Sequence, residues 1–210
     1  MKKHLTIIMA VLVGATVAHA GTQATNASTV SPTLQVSANV QKAVQLTLST
    51  GTVAAAHCAV AAGSGTDYSM NFGTVDGLGI NAGNCNKFSP TTPGSTNAVY
   101  WSDYQLTPVF SSQSVSTNTI TAQVTTTFGG VANGTSNLII VRDTLNSSTL
   151  PVSAASFSNM GSASADTIAT NAANGTAITR YIGIAVTPAN GASVLTGNQS
   201  ATVTFTLTVQ

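Results

Sequence analysis

The stretch 201–209, Ala-Thr-Val-Thr-Phe-Thr-Leu-Thr-Val, limits the fold more than any other part of the chain. Ala201, Val203, Phe205, Leu207 and Val209 share one parity, and Thr202, Thr204, Thr206 and Thr208 the other. Successive side chains of a strand point to opposite faces, so the segment reads as a strand with one apolar and one hydroxyl face. Its β-branched and aromatic residues favour the same conformation. A structure that accepts this strand must offer an apolar surface to one side of it.

A second alternation lies near the start. Leu34, Val36, Ala38, Val40, Val44, Leu46 and Leu48 all fall on even positions, with Lys42 the break in their apolar face. The pattern is long for one strand, and Gln41-Lys42 divides it into two consecutive segments of shared direction and parity. Further strands are expected over residues 99–110, around Ile120, Ala122, Val124 and Phe128, over 138–141, and around Ile178, Ile182, Ile184 and Val186. Asn133-Gly134, Asn174-Gly175 and Asn190-Gly191 supply residues that accept the positive φ of tight turns. Many short strands with Gly-rich turns predict an all-β antiparallel sandwich. Residues 153–176, rich in Ala, Ser and Asn, read as loop with at most a helical turn, and residues 53–62 as a loop pinned at Cys58.

The first twenty positions have a different logic. Lys2, Lys3 and His4 precede an apolar run, and Ala18-His19-Ala20 offers small residues for cleavage, the pattern of a secretory signal peptide over 1–20. Residues 21–41 then form a leader and 42–210 a single sandwich domain. The apolar run is too short to span a bilayer, and none follows it, so no transmembrane span is expected after cleavage. Export places Cys58 and Cys85 in an oxidising compartment, where an isolated pair reads as a disulfide.

Charge narrows the function. Beyond the leader the bases are Lys42, Lys87, Arg142 and Arg180, and the acids Asp67, Asp76, Asp103, Asp143 and Asp166, with no Glu. Such a chain has no clustered cations with which to displace counterions from nucleic acid. With only 5% charged residues, solubility rests on Ser, Thr, Asn and Gln, and low net charge favours association.

The inventory for catalysis is short. His57 is the one histidine beyond the leader; it adjoins Cys58 and reads as a surface or packing residue. No Gly-x-Ser-x-Gly elbow occurs, so no enzyme activity, metal or cofactor is expected. Asp67, Asn71, Asp76 and Asn81 do not have the spacing of a calcium loop and read as turn residues. Tyr100, Trp101 and Tyr104 have the chemistry of a sugar-stacking platform, but their alternation with apolar neighbours favours core or hairpin packing.

Residues 44–51 running toward Cys58, Asn71-Phe72-Gly73-Thr74-Val75, Leu138-Ile139-Ile140-Val141-Arg142-Asp143, and residues 182–188 followed by the Thr/Val-rich last strand carry a family resemblance. Together they resemble fimbrial subunits, and more narrowly the spore coat protein U-like pilins of archaic chaperone–usher systems. The resemblance implies an immunoglobulin-like sandwich that lacks a strand, completed by the N-terminal segment of a neighbouring subunit. It also implies a periplasmic chaperone and an outer-membrane usher as partners, and a role at the cell surface in adhesion or biofilm. Leu34, Val36, Ala38 and Val40 have the alternate spacing a donor strand needs. The other reading is a self-complete secreted sandwich, its N-terminal segment folded into its own sheet, that binds carbohydrate or another surface ligand.

Overall fold

Alternation becomes pairing along one long central strand. The computed structural model describes residues 35–38, 43–63, 67–92, 96–111, 117–187 and 194–210. Residues 41–210 make one compact unit; of the separate unit 1–40 only 35–38 are described, exposed and outside any strand.

The strands in chain order are β1 (Val44–Thr50), β2 (Val60–Ala62), β3 (Tyr68–Met70), β4 (Asn86–Phe88), β5 (Ala98–Phe110), β6 (Asn118–Thr126), β7 (Leu138–Asp143), β8 (Phe157–Asn159), β9 (Asp166–Thr170), β10 (Ile178–Val186) and β11 (Thr202–Val209). One sheet has the order β1-β5-β10-β7-β8, with β4 also on β5; the second is β11-β6-β9; β2 and β3 form a small hairpin. All pairings are antiparallel. The protein is an antiparallel β-sandwich, as the alternating sequence predicts.

β5 organises the larger sheet. One edge pairs with β10 from Ala98 to Leu106. The other is shared: β4 takes Val99–Trp101, and β1 takes Tyr104–Phe110. Even-numbered Tyr100, Tyr104 and Leu106 face the second sheet and pack with Ile120, Ala122, Val124, Ile140 and Ile168. Odd-numbered Val99 and Trp101 turn to the outer face, where they join Ile139, Val141, Tyr181 and Ala185 in a smaller cluster. β5 is therefore buried on both faces, which explains the continuous apolar and aromatic character of 98–101.

Residues 153–176 depart from the loop expected of them. They hold a single 3-10 turn, Ala154–Ser156, followed by β8 and β9. β9 completes the second sheet against β6, and Ile168 and Met160 are fully buried. The Ala- and Ser-rich composition hid strands of three and five residues that are too short for a visible period.

Candidate functional site

The disulfide forms where β5 changes partner. β1 ends at Thr50 and β4 begins at Asn86, and between their stretches of β5 lie Ser102 and Asp103. Cys58 and Cys85 are bridged across this gap, with Cα atoms 5.1 Å apart. The Cys58 N–H donates to Ser102 Oγ at 2.9 Å, and Asn86 Nδ2 donates to the Ala56 carbonyl.

Asp103, fully buried on the outer face, holds the same loop. Its Oδ2 accepts from the N–H groups of Val53 (2.7 Å) and Ala54 (3.1 Å), and Oδ1 lies 2.6 Å from His57 Nδ1. Burial pushes the Asp103 carboxyl up, but the Val53 amide, His57 and the Ala54 amide together hold it below the ordinary value. His57 is thus a hydrogen-bond partner of a buried carboxylate and not the plain surface or packing residue that its sequence context implies. The paired Asp lies 46 positions away, so no local motif could have shown it.

Other Asp residues anchor loops in the same way. Asp76 accepts N–H bonds from Leu78, Ile80 and Asn81. Burial raises its pKa, and the Asn81, Ile80 and Leu78 amides more than reverse the effect, holding it at about 2. This is the turn-forming role expected of Asp76. Asp143 accepts from Ser147 and Tyr181 N–H, and burial pushes its carboxyl up. Two arginines join the sheets: Arg142 Nε of β7 lies 3.0 Å from Asp166 Oδ2 of β9, and Arg180 Nε of β10 donates to the Ile168 carbonyl at 2.7 Å. No group of three or more His, Cys, Asp or Glu placed to hold a metal ion occurs among the described residues. No helix among them is long and apolar enough to cross a membrane.

Tyr100, Trp101 and Tyr104 are all buried, so this trio is core and not an open platform. Trp101 stacks on Phe88 at 5.5 Å and meets Tyr181 edge-on at 5.8 Å.

β8 and β9 end the two sheets on one side, and on the other, among the described residues, β1 of one sheet approaches β11 of the other. Among the described residues β1 pairs with β5 alone and β11 with β6 alone, so each has an unpaired backbone edge. Val203, Phe205, Leu207 and Val209 are only half-buried, whereas their cross-strand partners Val124, Ala122, Ile120 and Asn118 are fully buried. Leu46 and Leu48 of β1 are half-buried in the same core. The terminal-strand residues Val203, Phe205 and Leu207 therefore pack on the core from a flank that remains accessible, and Phe205 reaches Tyr104 at 5.6 Å. Of the expected donor residues, Val36 (83% exposed) and Ala38 lie in the described segment, both open to solvent. Leu34 and Val40 lie outside the described residues, as does Lys42. Comparison with protein-family models, with curated proteins and with solved structures finds no match to this chain.

Proposed function

We propose that this chain is an exported structural subunit of a surface fibre, in which residues 34–40 of one copy complete the open edge of the next. The observation that carries this reading is the half-buried apolar row on β11, Val203 to Val209, set opposite a fully buried row on β6. An unpaired edge backed by apolar side chains is an aggregation hazard unless a strand adds to it. An added strand supplies backbone hydrogen bonds along its length and seats alternate side chains between the sheets. Leu34, Val36, Ala38 and Val40 have that alternation, and burying the four contributes about 5 to 10 kcal/mol before ordering costs.

The immunoglobulin-like description, the likeness to spore coat protein U-like pilins and a place at the cell surface in adhesion or biofilm belong to this same reading. A periplasmic chaperone that shields the edge and an outer-membrane usher that orders the exchange are the partners it calls for. The scarcity of charge supports it as well, since copies stacked along a fibre do not repel one another.

Deleting residues 21–41 from the exported chain tests the proposal. The truncated chain is expected to form no filaments, to have a lowered thermal midpoint, and to regain stability when a synthetic peptide of residues 32–42 is added. A truncated chain that stays a stable monomer, indifferent to the peptide, and still forms filaments overturns it.

A further inference from the structure

The outer face of the larger sheet has a hollow that the fibre reading does not use. Along β10 the outward side chains shrink from Tyr181 through Gly183 to Ala185, while Trp101 of β5 lies over Gly183. The space left above Ala185 is a hollow of about 290 Å³. Val99, Val141 and Ala185 line it, with Phe157 from β8. Asn97 and Asn159 also line it. Asn159 Nδ2 packs against Gly134, where a Cβ would stand 2.9 Å from it, and Gly134 has a φ of +101°, so both room and backbone favour glycine there.

We infer that this hollow is a binding site for one neutral pyranose ring. No described lining residue carries a charge, which disfavours phosphate, carboxylate and ammonium ligands. Its volume lies at the small end of ligand pockets, with room for a single ring. The aliphatic and aromatic residues suit the apolar face of a sugar. Asn97 is half-buried and Asn159 exposed, and neither side-chain amide bonds to a described residue, so both are open to a ligand in the hollow. Each amide carries both acceptor and donor, the complement of adjacent sugar hydroxyls. An aliphatic chain or an apolar side chain leaves both amides unused, which is why the sugar is preferred. The hollow is built from β5, β7, β8 and β10 together with residues 96 and 97 and Ala154 of the 3-10 turn, so it is independent of the β1 and β11 edge and of the fibre proposal.

The chain's single tryptophan is a built-in reporter, because Trp101 is 6.0 Å from the Phe157 ring. The full exported chain should be titrated with methyl glycosides of glucose, galactose, mannose and N-acetylglucosamine, following Trp101 fluorescence and saturation-transfer NMR. At least one glycoside is expected to saturate with a dissociation constant of about 1 to 10 mM, weakened about tenfold in Asn97→Ala and in Asn159→Ala. Thermal melts are expected to show both variants folded, and Asn159→Gln, which keeps an amide, to lose less than Asn159→Ala. Three results overturn the inference: no glycoside saturating up to about 100 mM, binding unchanged in both folded alanine variants, or phenol binding where no glycoside does. None of these bears on whether residues 34–40 complete the β1 and β11 edge.

Discussion

Asp103 shows how much one side chain can organise when charge is scarce. It is fully buried and satisfied by two backbone N–H groups and His57, and Gly51 packs so tightly against the carboxylate that a Cβ there collides with it. Asp103→Asn keeps the shape but removes the charge that His57 and both amides face. It is expected to destabilise the protein by about 2 to 4 kcal/mol in urea unfolding, and Gly51→Ala by about 1 to 3. The pH dependence follows from the same groups. Asp76, Asp103 and Asp166 are held below the ordinary carboxylate value, so the folded state binds fewer protons than the unfolded chain. Their stabilisation is complete above the unfolded pKa of about 3.9 and is lost as pH falls through the folded values, for Asp76 at about 2. Asp143 has the opposite sign, since burial raises its pKa and protonation relieves that penalty. The urea midpoint is therefore expected to drop between about pH 4 and pH 2, with a shallower drop in Asp103→Asn. A midpoint flat across that window, or an unchanged slope in the variant, contradicts the assignment.

At the scale of elements, period two decides which side chains matter for the proposed assembly. On β11 the odd positions face the core and the threonines face solvent, and the same parity argument applies to the proposed donor segment. Val36→Asp or Val40→Asp is expected to place an unpaired carboxylate in an apolar groove and to abolish filaments seen by electron microscopy. Ser37→Asp and Asn39→Asp point the other way and should leave filament yield within about twofold of the parent. On the acceptor side Leu207→Asp should block assembly, whereas Thr206→Asp should not. Equal tolerance of all these changes would show that the even face of residues 34–40 is not buried and overturn the proposed strand exchange. The sugar hollow belongs to this scale too, because it exists only where the outward side chains of β10 become small beside the bulk of Trp101 and Phe157.

Over the whole molecule the disulfide compensates for a division in the larger sheet. β1 and β4 occupy one edge of β5 in turn, and β4 is three residues long, too short to stay docked through its own ladder. The Cys58–Cys85 bridge joins the loop after β1 to the start of β4 and closes 27 positions of chain. By the chain-entropy argument it contributes about 3.5 kcal/mol. The double variant Cys58→Ser/Cys85→Ser is expected to lose about that much in urea unfolding, and the native chain to have no thiol reactive to alkylation before reduction. Two alkylatable cysteines in native material would sink the second expectation.

The sequence by itself determined the all-β class, the parity of β1, β6, β10 and β11, the burial of Tyr100, Trp101 and Tyr104 and the pairing of the cysteines. Each of these rests on local periodicity, or on there being a single pair, and neither requires knowing what lies across the core. Tertiary structure alone decided the rest. The partnership of His57 with Asp103, the sheet-bridging Arg142 and Arg180, the strands β8 and β9 within an Ala- and Ser-rich stretch, and the hollow above Ala185 all depend on residues distant in sequence. The physical reason is that an alternating strand specifies which face is apolar but not which strand will cover it. The same ambiguity surrounds residues 34–40, whose pattern suits a groove in the same chain or in the next one equally well.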